Sequence, residues 1–255
     1  MASSTLLTVT LGDRPDLTDD LKASGLDGGP NWPSFYQGSL VGLKYWDRTY
    51  TEFADYQVVF VDGASSIVAC GHTLPLYWDQ TAEGLPGGWD AAVELAFAGN
   101  RKPNSLMALS AVAQPARRNS GLGAEILRSM RAVAASKGFE SLIAPVRPNR
   151  KESYPLAKFE EYISWTHPDG TAFDPWLRVH LQLGGRVLMI APESMVVEGT
   201  VEQWTHWTGG SFPASGAYVV PGALAPVHID LERDLGRYAE PNVWVEHRLS
   251  EKPPA

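Results

Sequence analysis

One cysteine, Cys70, stands in the 255-residue chain, so no disulfide can form within it. A scaffold of cross-linked loops is thereby excluded, and a reducing, cytoplasmic setting is the expected default. No apolar run is long enough to span a bilayer, and the N-terminus lacks the basic-then-apolar layout of a secretory leader. Basic excess is missing too. The formal net charge is -8, which argues against a surface that tracks nucleic-acid phosphates. The six histidines, His72, His167, His180, His206, His228 and His247, show no metal-ligand spacing, so no metal is expected. No Gly-x-Ser-x-Gly elbow occurs, and Cys70 lies in an apolar strand, where an inert thiol is expected.

What is present describes a packed protein: 44% hydrophobic and 20% charged residues, far from the composition of a disordered chain. No repeat and no composition break marks a boundary. We expect one domain over 1–255, with a core over about 5–190 and a C-terminal elaboration over about 194–255. Nineteen prolines and nine tryptophans suggest long ordered loops, some of them aromatic.

Local patterns place the elements. A strand is read over Thr5–Leu11, a short helix over Asp16–Lys22, and helical character over 45–53. Tyr56–Val61 and Ser66–His72 flank the turn Asp62-Gly63-Ala64-Ser65 as a hairpin. Trp89, Val93 and Phe97 recur at helical spacing. Ser105–Ala113 reads as a strand, Leu122–Ser136 as a helix with Leu122, Ile126, Met130 and Val133 on its buried face, and Ser141–Val146 as a strand. Ser153-Tyr154-Pro155 opens a helix burying Leu156, Phe159 and Ile163. Asp174-Pro175 opens another, which Gly184-Gly185 stops. A strand follows at Arg186–Ile190. The loop-rich remainder carries short strands at 217–220, 227–230 and 242–246.

The most informative run is Gln114-Pro115-Ala116-Arg117-Arg118-Asn119-Ser120-Gly121-Leu122-Gly123-Ala124, between the strand at 105–113 and the helix at 122–136. The first amides of a helix have no intrahelical partner, and the macrodipole adds partial positive charge there. Glycines 121 and 123 leave room for a phosphate to approach the main chain, and Arg118 adds a charge-assisted contact. A phosphate-bearing ligand at this turn is the expectation. Arg117, Arg118, Arg128, Arg131, Arg147, Arg150 and Lys151 cluster nearby in an acidic chain, which fits a small polyanion. The spacing fits neither Gly-x-Gly-x-x-Gly nor a Gly-Lys-Ser/Thr loop.

Arg118-x-x-Gly121-x-Gly123-Ala124 resembles the Gln/Arg-x-x-Gly-x-Gly/Ala pattern of the GNAT superfamily, the acyl-CoA-dependent N-acyltransferases. The element order from about 5 to 190 is similar to that of the family as well. The resemblance implies an α/β (α+β) GNAT fold: a mixed central sheet with flanking helices, splayed central parallel strands, and a loop-rich C-terminal extension. It implies acetyl-CoA as acyl donor, with its pantetheine arm along Ala111, Val112 and Ala113. Its pyrophosphate would lie on the amides of Arg118, Asn119, Ser120, Gly121, Leu122, Gly123 and Ala124. Asn149 sits where family members often carry a cofactor-contacting asparagine.

The family often places a tyrosine four residues ahead of a Gly-Phe pair. Here that position is His180 and the pair is Gly184-Gly185. His180 becomes the candidate proton donor or relay, since imidazole titrates near neutrality. Tyr154, Tyr162, Tyr218, Glu240 and His247 stand as spare candidates. The implied reaction is transfer of an acetyl group to the amine of a small molecule by direct attack, with no nucleic-acid or membrane partner. A longer acyl-CoA, a carrier-protein thioester and a non-catalytic acyl-CoA sensor stay open as alternatives, as does a homodimer.

Overall fold

The turn at Asp62 organises the first half of the chain. Its Oδ1 accepts from the amides of Ala64 and Ser66, both at 3.0 Å, and closes a hairpin between β2 (Val58–Val61) and β3 (Ile67–Leu76). The computed structural model describes residues 6–26, 32–118 and 120–249. β1 (Leu7–Thr10) runs antiparallel to β2. Between them lie α1 (Leu17–Ala23), α2 (Leu40–Tyr45) and α3 (Thr49–Glu52). The helical character expected over 45–53 is thus two short helices meeting near Trp46.

After β3 the chain enters α4 (Trp89–Ala98), which stops at Gly99 in the left-handed region. β4 (Ser105–Ala113), α5 (Leu122–Ser136) and β5 (Ser141–Val146) follow, with the bounds that sequence periodicity indicates. β4 is antiparallel to β3 and parallel to β5. Side chains alternate along these strands. Leu106 and Leu142 face α5, while Met107 and Ile143 face α4, so the sheet is covered on both sides. α5 presses Ile126 and Met130 against Gly71 of β3, where an added Cβ would lie 2.8 and 2.6 Å from them.

α6 (Phe159–Ile163), α7 (Pro175–Gln182), β6 (Arg186–Gly199) and α8 (Val201–Thr208) come next, then β7 (Gly216–Tyr218), β8 (Val227–Asp230) and β9 (Leu235–Arg248). Sequence spacing overstates α6: it spans 159–163 only, and Leu156, expected in the core, is 77% exposed. It also misses α8, although Thr200-x-x-Gln203 is a capping box. The Thr200 hydroxyl accepts from the Gln203 amide, and Gln203 returns the bond to the Thr200 amide.

β9 is the larger difference. Only 242–246 is legible as strand, yet β9 covers fourteen residues and lies inside the sheet. The described strands run in the order β1-β2-β3-β4-β5-β9-β8-β7, with β6 along the other edge of β9. On its β5 side, β9 pairs with β8 through Leu235–Arg237 and with β5 through Val243–Arg248. Residues 238–242 have no strand partner on that side. No helix among the described residues is long and apolar enough to cross a membrane.

Candidate active site

β4 and β5 are neighbours only at one end. Pairing covers Ser105–Met107 against Ser141–Ile143, and beyond it the strands part. The cause is visible on the β3 side of β4: His72 faces Ser110 but Thr73 faces Ala108, leaving Leu109 as an extra residue. Such a bulge bends the strand. Residues 108–113 keep β3 on one edge and, among the described residues, have no strand on the other. The opening holds a cavity of about 510 Å³, walled by Ala108–Ala113 on one side and Ala144–Arg147 on the other. Three alanines in the first wall keep it wide.

The mouth of this cleft is the turn between β4 and α5. Pro115–Arg117 forms a short 3-10 turn, and Gly121 takes φ +84°, a left-handed conformation suited to glycine. Among the described residues no side chain caps the first turn of α5, and Ser120 donates to the Arg117 carbonyl at 2.6 Å instead. Gly123 does a different job: a Cβ there would stand 3.1 Å from the Trp176 ring. Its missing side chain seats α5 against α7.

Of the residues singled out by sequence, Ala111, Val112, Ala113, Arg118, Gly123, Asn149 and His180 all border the cavity. Leu122 points into the core under α5, and Ser120, Gly121 and Ala124 adjoin the cavity without lining it. Asn119 lies outside the described residues.

The basic cluster is largely spent elsewhere, contrary to its expected role. Arg128 pairs with Glu125, Arg131 donates to the Leu183 carbonyl, and Lys151 is buried between the carbonyls of Tyr154 and Leu224. Burial alone pushes the Lys151 ammonium below its ordinary pKa. Arg147 turns inward. Only Arg117 and Arg118 of the cluster's first half stay at the cavity.

α7 delivers His180. Asp174 caps the helix, accepting from the amides of Trp176 and Leu177 at 3.0 Å each. Its second oxygen accepts from the Arg150 amide and the Tyr162 hydroxyl, tying α7 to the end of β5 and to α6. One turn on, His180 is 1% exposed, stands edge-on to Trp176, and lies 3.0 Å (Nδ1 to Nε2) from His247 of β9. Burial, then the facing His247, lowers the His180 pKa to about 3. Burial, then Arg131, lowers that of His247 to about 4. Both rings are therefore neutral near pH 7.

Across the cleft lies a group that sequence reasoning did not assemble. The Tyr36 hydroxyl donates to Glu240 Oε2 at 2.5 Å and accepts from Arg147 Nε at 3.0 Å. Arg147 Nε is 3.1 Å from the same carboxylate oxygen, which also accepts from the Tyr238 hydroxyl at 2.9 Å. Burial, reinforced by Glu240, holds both tyrosines above the usual phenol pKa. Burial pulls Arg147 down, but Glu240 and Tyr36 more than offset it, so the guanidinium stays charged. Glu240 pairs with Met195 of β6 but falls on the part of β9 without a strand partner on its β5 side, where it lines the cleft.

Beyond Tyr36 the space continues into a second cavity of about 490 Å³. The two share Trp32, Pro33, Tyr36, Trp89 and Met195 as walls. Trp89 is held by its amide on Ser194 Oγ (2.8 Å) and its indole N–H on the Leu109 carbonyl (3.3 Å), at the bulge itself. The other histidines take no part. His206 sits on α8, His167 beside Phe173, and no three His, Cys, Asp or Glu side chains among the described residues group as metal ligands.

The chain is similar to known proteins over nearly its whole length. The chain is 35% identical to the arginine N-acetyltransferase avaD of Aspergillus versicolor over 271 aligned residues, covering 94% of this chain and 93% of that one. No family model matches. Among solved structures, it is similar to the GNAT-like decarboxylase GphF in complex with isobutyryl-CoA. That likeness has a TM-score of 0.60 and 19% identity over 96% of this chain and 100% of the other. The loading GNATL domain of CurA from Lyngbya majuscula aligns with a TM-score of 0.57 and 17% identity, over 97% and 98% of the two chains.

Proposed function

Since this chain belongs to the GNAT superfamily and is an acyl-CoA-dependent N-acetyltransferase, we propose that it moves an acetyl group from acetyl-CoA to the amine of a small molecule by direct attack. The observation that carries this reading is the free edge of β4 at 108–113, leading to the start of α5 behind the left-handed Gly121. An extended pantetheine arm pairs with such an edge as a further strand does, and a pyrophosphate takes the helix amides. Ala111, Val112 and Ala113 hold the arm in this reading. The turn from Arg118 through Ala124 holds the phosphates, and Asn149 flanks the arm from the β5 side.

The nitrogen lone pair attacks the thioester carbonyl, the C–S bond breaks, and one proton must travel from the former amine to the departing sulfur. We assign that relay to His180. In the tautomer that donates Nδ1–H to His247, His180 keeps a lone pair at Nε2, and the residue borders the cleft. Burial keeps the ring neutral near pH 7, the form that can accept the proton at Nε2. The imidazolium so formed is then a strong acid toward the thiolate. Positioning supplies much of the remaining rate.

Arginine is the first acceptor to try, from the name of the 35%-identical relative. The test is a calorimetric titration with acetyl-CoA, free coenzyme A and isobutyryl-CoA, followed by a thiol-release assay on amines. Micromolar acetyl-CoA binding, about −8 kcal/mol, that weakens at least tenfold in Gly121→Val supports the reading. Unchanged affinity in that variant removes the turn from the site. Absence of binding to all three ligands moves a carrier-protein donor or a sensor role to the front.

A further inference from the structure

The second cavity differs in chemistry from the first, whose walls include Arg117, Arg118, Arg147 and Glu240. Trp32, Tyr36, Leu43, Trp46, Trp89 and Met195 face it, and no charged side chain among the described residues lines it. A carboxylate placed there would lose its water and gain no ion pair, which is costly, and a guanidinium would recover part of that loss by stacking on the tryptophan faces. A flat apolar ring loses nothing and gains aromatic packing. A second observation narrows the ligand further. The indole Nε1 of Trp32, a residue bordering both cavities, is buried without a hydrogen-bond partner. Native buried donors of this kind are uncommon and call for an acceptor.

Resting on the N-acetyltransferase reading above, we propose that this annex receives an uncharged, flat ring belonging to the acceptor, with a neighbouring carbonyl oxygen taking the Trp32 indole N–H. The acceptor is then an amine joined to an aromatic or similarly flat amide-bearing group, and free arginine represents only part of it. Continuity supports the assignment. Trp32, Tyr36 and Trp89 wall both cavities, so a ring in the annex leaves its attached nitrogen at the acyl cleft. Leu43, 71% exposed, marks the open side through which larger substituents extend.

The experiment compares kcat/KM in the thiol-release assay for arginine, tryptamine and arginine β-naphthylamide, with acetyl-CoA held saturating. Arginine β-naphthylamide carries both a ring and a carbonyl, and roughly a tenfold or greater advantage over arginine is expected. Trp32→Phe keeps the ring face and removes the N–H, so it should cut the naphthylamide's advantage over tryptamine. Leu43→Trp, a change at an exposed position on the annex wall, should narrow the annex and collapse the naphthylamide-to-arginine ratio, with the melting temperature checking that the variant is folded. Equal rates for arginine and the naphthylamide, or a ratio that Leu43→Trp leaves untouched, would overturn the inference. The acyltransferase reading survives that result. Failure to acetylate any amine would instead strike at that reading, and acetyl-CoA titration of the same samples separates the two.

Discussion

Glu240 and Arg147 form an ion pair at 3.1 Å where β9 has no strand partner on its β5 side, with the carboxylate side chain 2% exposed and the guanidinium 24%. The pairing explains why Arg147, which lies in a run of basic residues after β5, does not join a phosphate site. Its Nε serves Glu240 and the Tyr36 hydroxyl, and its terminal nitrogen donates to the Gly222 carbonyl. It bridges β5, the segment around Tyr36 and the loop before β8.

Removing one member of a buried pair leaves an uncompensated charge, so Arg147→Met should cost about 3 kcal/mol of stability. Urea unfolding measures this. Acetyl-CoA affinity should stay within about twofold of the wild type. A phosphate-contacting arginine would show the opposite pattern, a small stability change with affinity down by about tenfold or more. Calorimetry on the folded variant at pH 7 discriminates between the two.

His180 and His247 predict how stability responds to acid. Their folded pKa values, about 3 and about 4, lie below the unfolded value of 6.5. The unfolded chain therefore binds protons first, and stability falls as pH drops through 6.5 toward 4. Asp90 works the other way. Burial, with weaker help from Glu94 and Glu240, raises its pKa from 3.8 to about 6, so the folded state binds that proton more readily and gains stability over the same interval. Two histidines against one carboxyl leave a net loss of about 1 kcal/mol per pH unit. The urea midpoint should slide between pH 6.5 and 5, and His180→Asn/His247→Asn should flatten or reverse the slope. A wild-type midpoint constant over that range would contradict the burial of both rings as neutral species.

The relay assigned to His180 gives a kinetic expectation. General acid–base groups contribute roughly 10²–10⁴-fold. His180→Gln should therefore lower kcat by about 10²-fold or more while acetyl-CoA affinity holds. Loss of kcat confined to poor leaving groups would place the histidine on the sulfur side of the transfer. An unchanged kcat would pass the role to another group lining the cleft, of which the Tyr36 hydroxyl is one.

These groups also mark what the sequence makes legible. β4, the glycine turn, α5 and β5 are written in adjacent residues: apolar alternation, a turn glycine and a 3.6-residue stripe from Leu122 to Met130. His180 is legible because it shares a face with Trp176 on a capped helix. Tyr36 and Glu240 are 204 positions apart and meet only because β9 is inserted between β5 and β6. No local pattern encodes that placement. β9 is masked in the same way. Buried on both faces through 241–247, it shows no alternation, and Pro241 interrupts it where it has no β5-side partner. The annex is invisible for a further reason. Its walls come from segments around 32–46, 89 and 195, and tryptophans scattered in sequence are indistinguishable from packing residues until they are brought together.

Gly88 offers a last test, because it controls how one wall of both cavities is set. Its φ of 162° is extended backbone open to any residue, so conformational freedom is not the reason for glycine. Space is. An added Cβ would lie 2.1 Å from Ser194 Cα and 2.8 Å from the Ser194 carbonyl oxygen, both main chain of β6 and unable to rotate away. Gly88→Ala must push α4 off β6, which stretches the bond from the Trp89 amide to Ser194 Oγ. Overpacking of this kind costs about 1–3 kcal/mol. The same shift draws the Trp89 indole from the Leu109 carbonyl at the β4 bulge, so the acceptor wall moves while the turn at Gly121 stays in place. The expected signature is a lower melting temperature and an acceptor KM raised several-fold, with acetyl-CoA affinity nearly constant. Equal losses for donor and acceptor would mean that the bulge, and with it the free edge of β4, has moved as well.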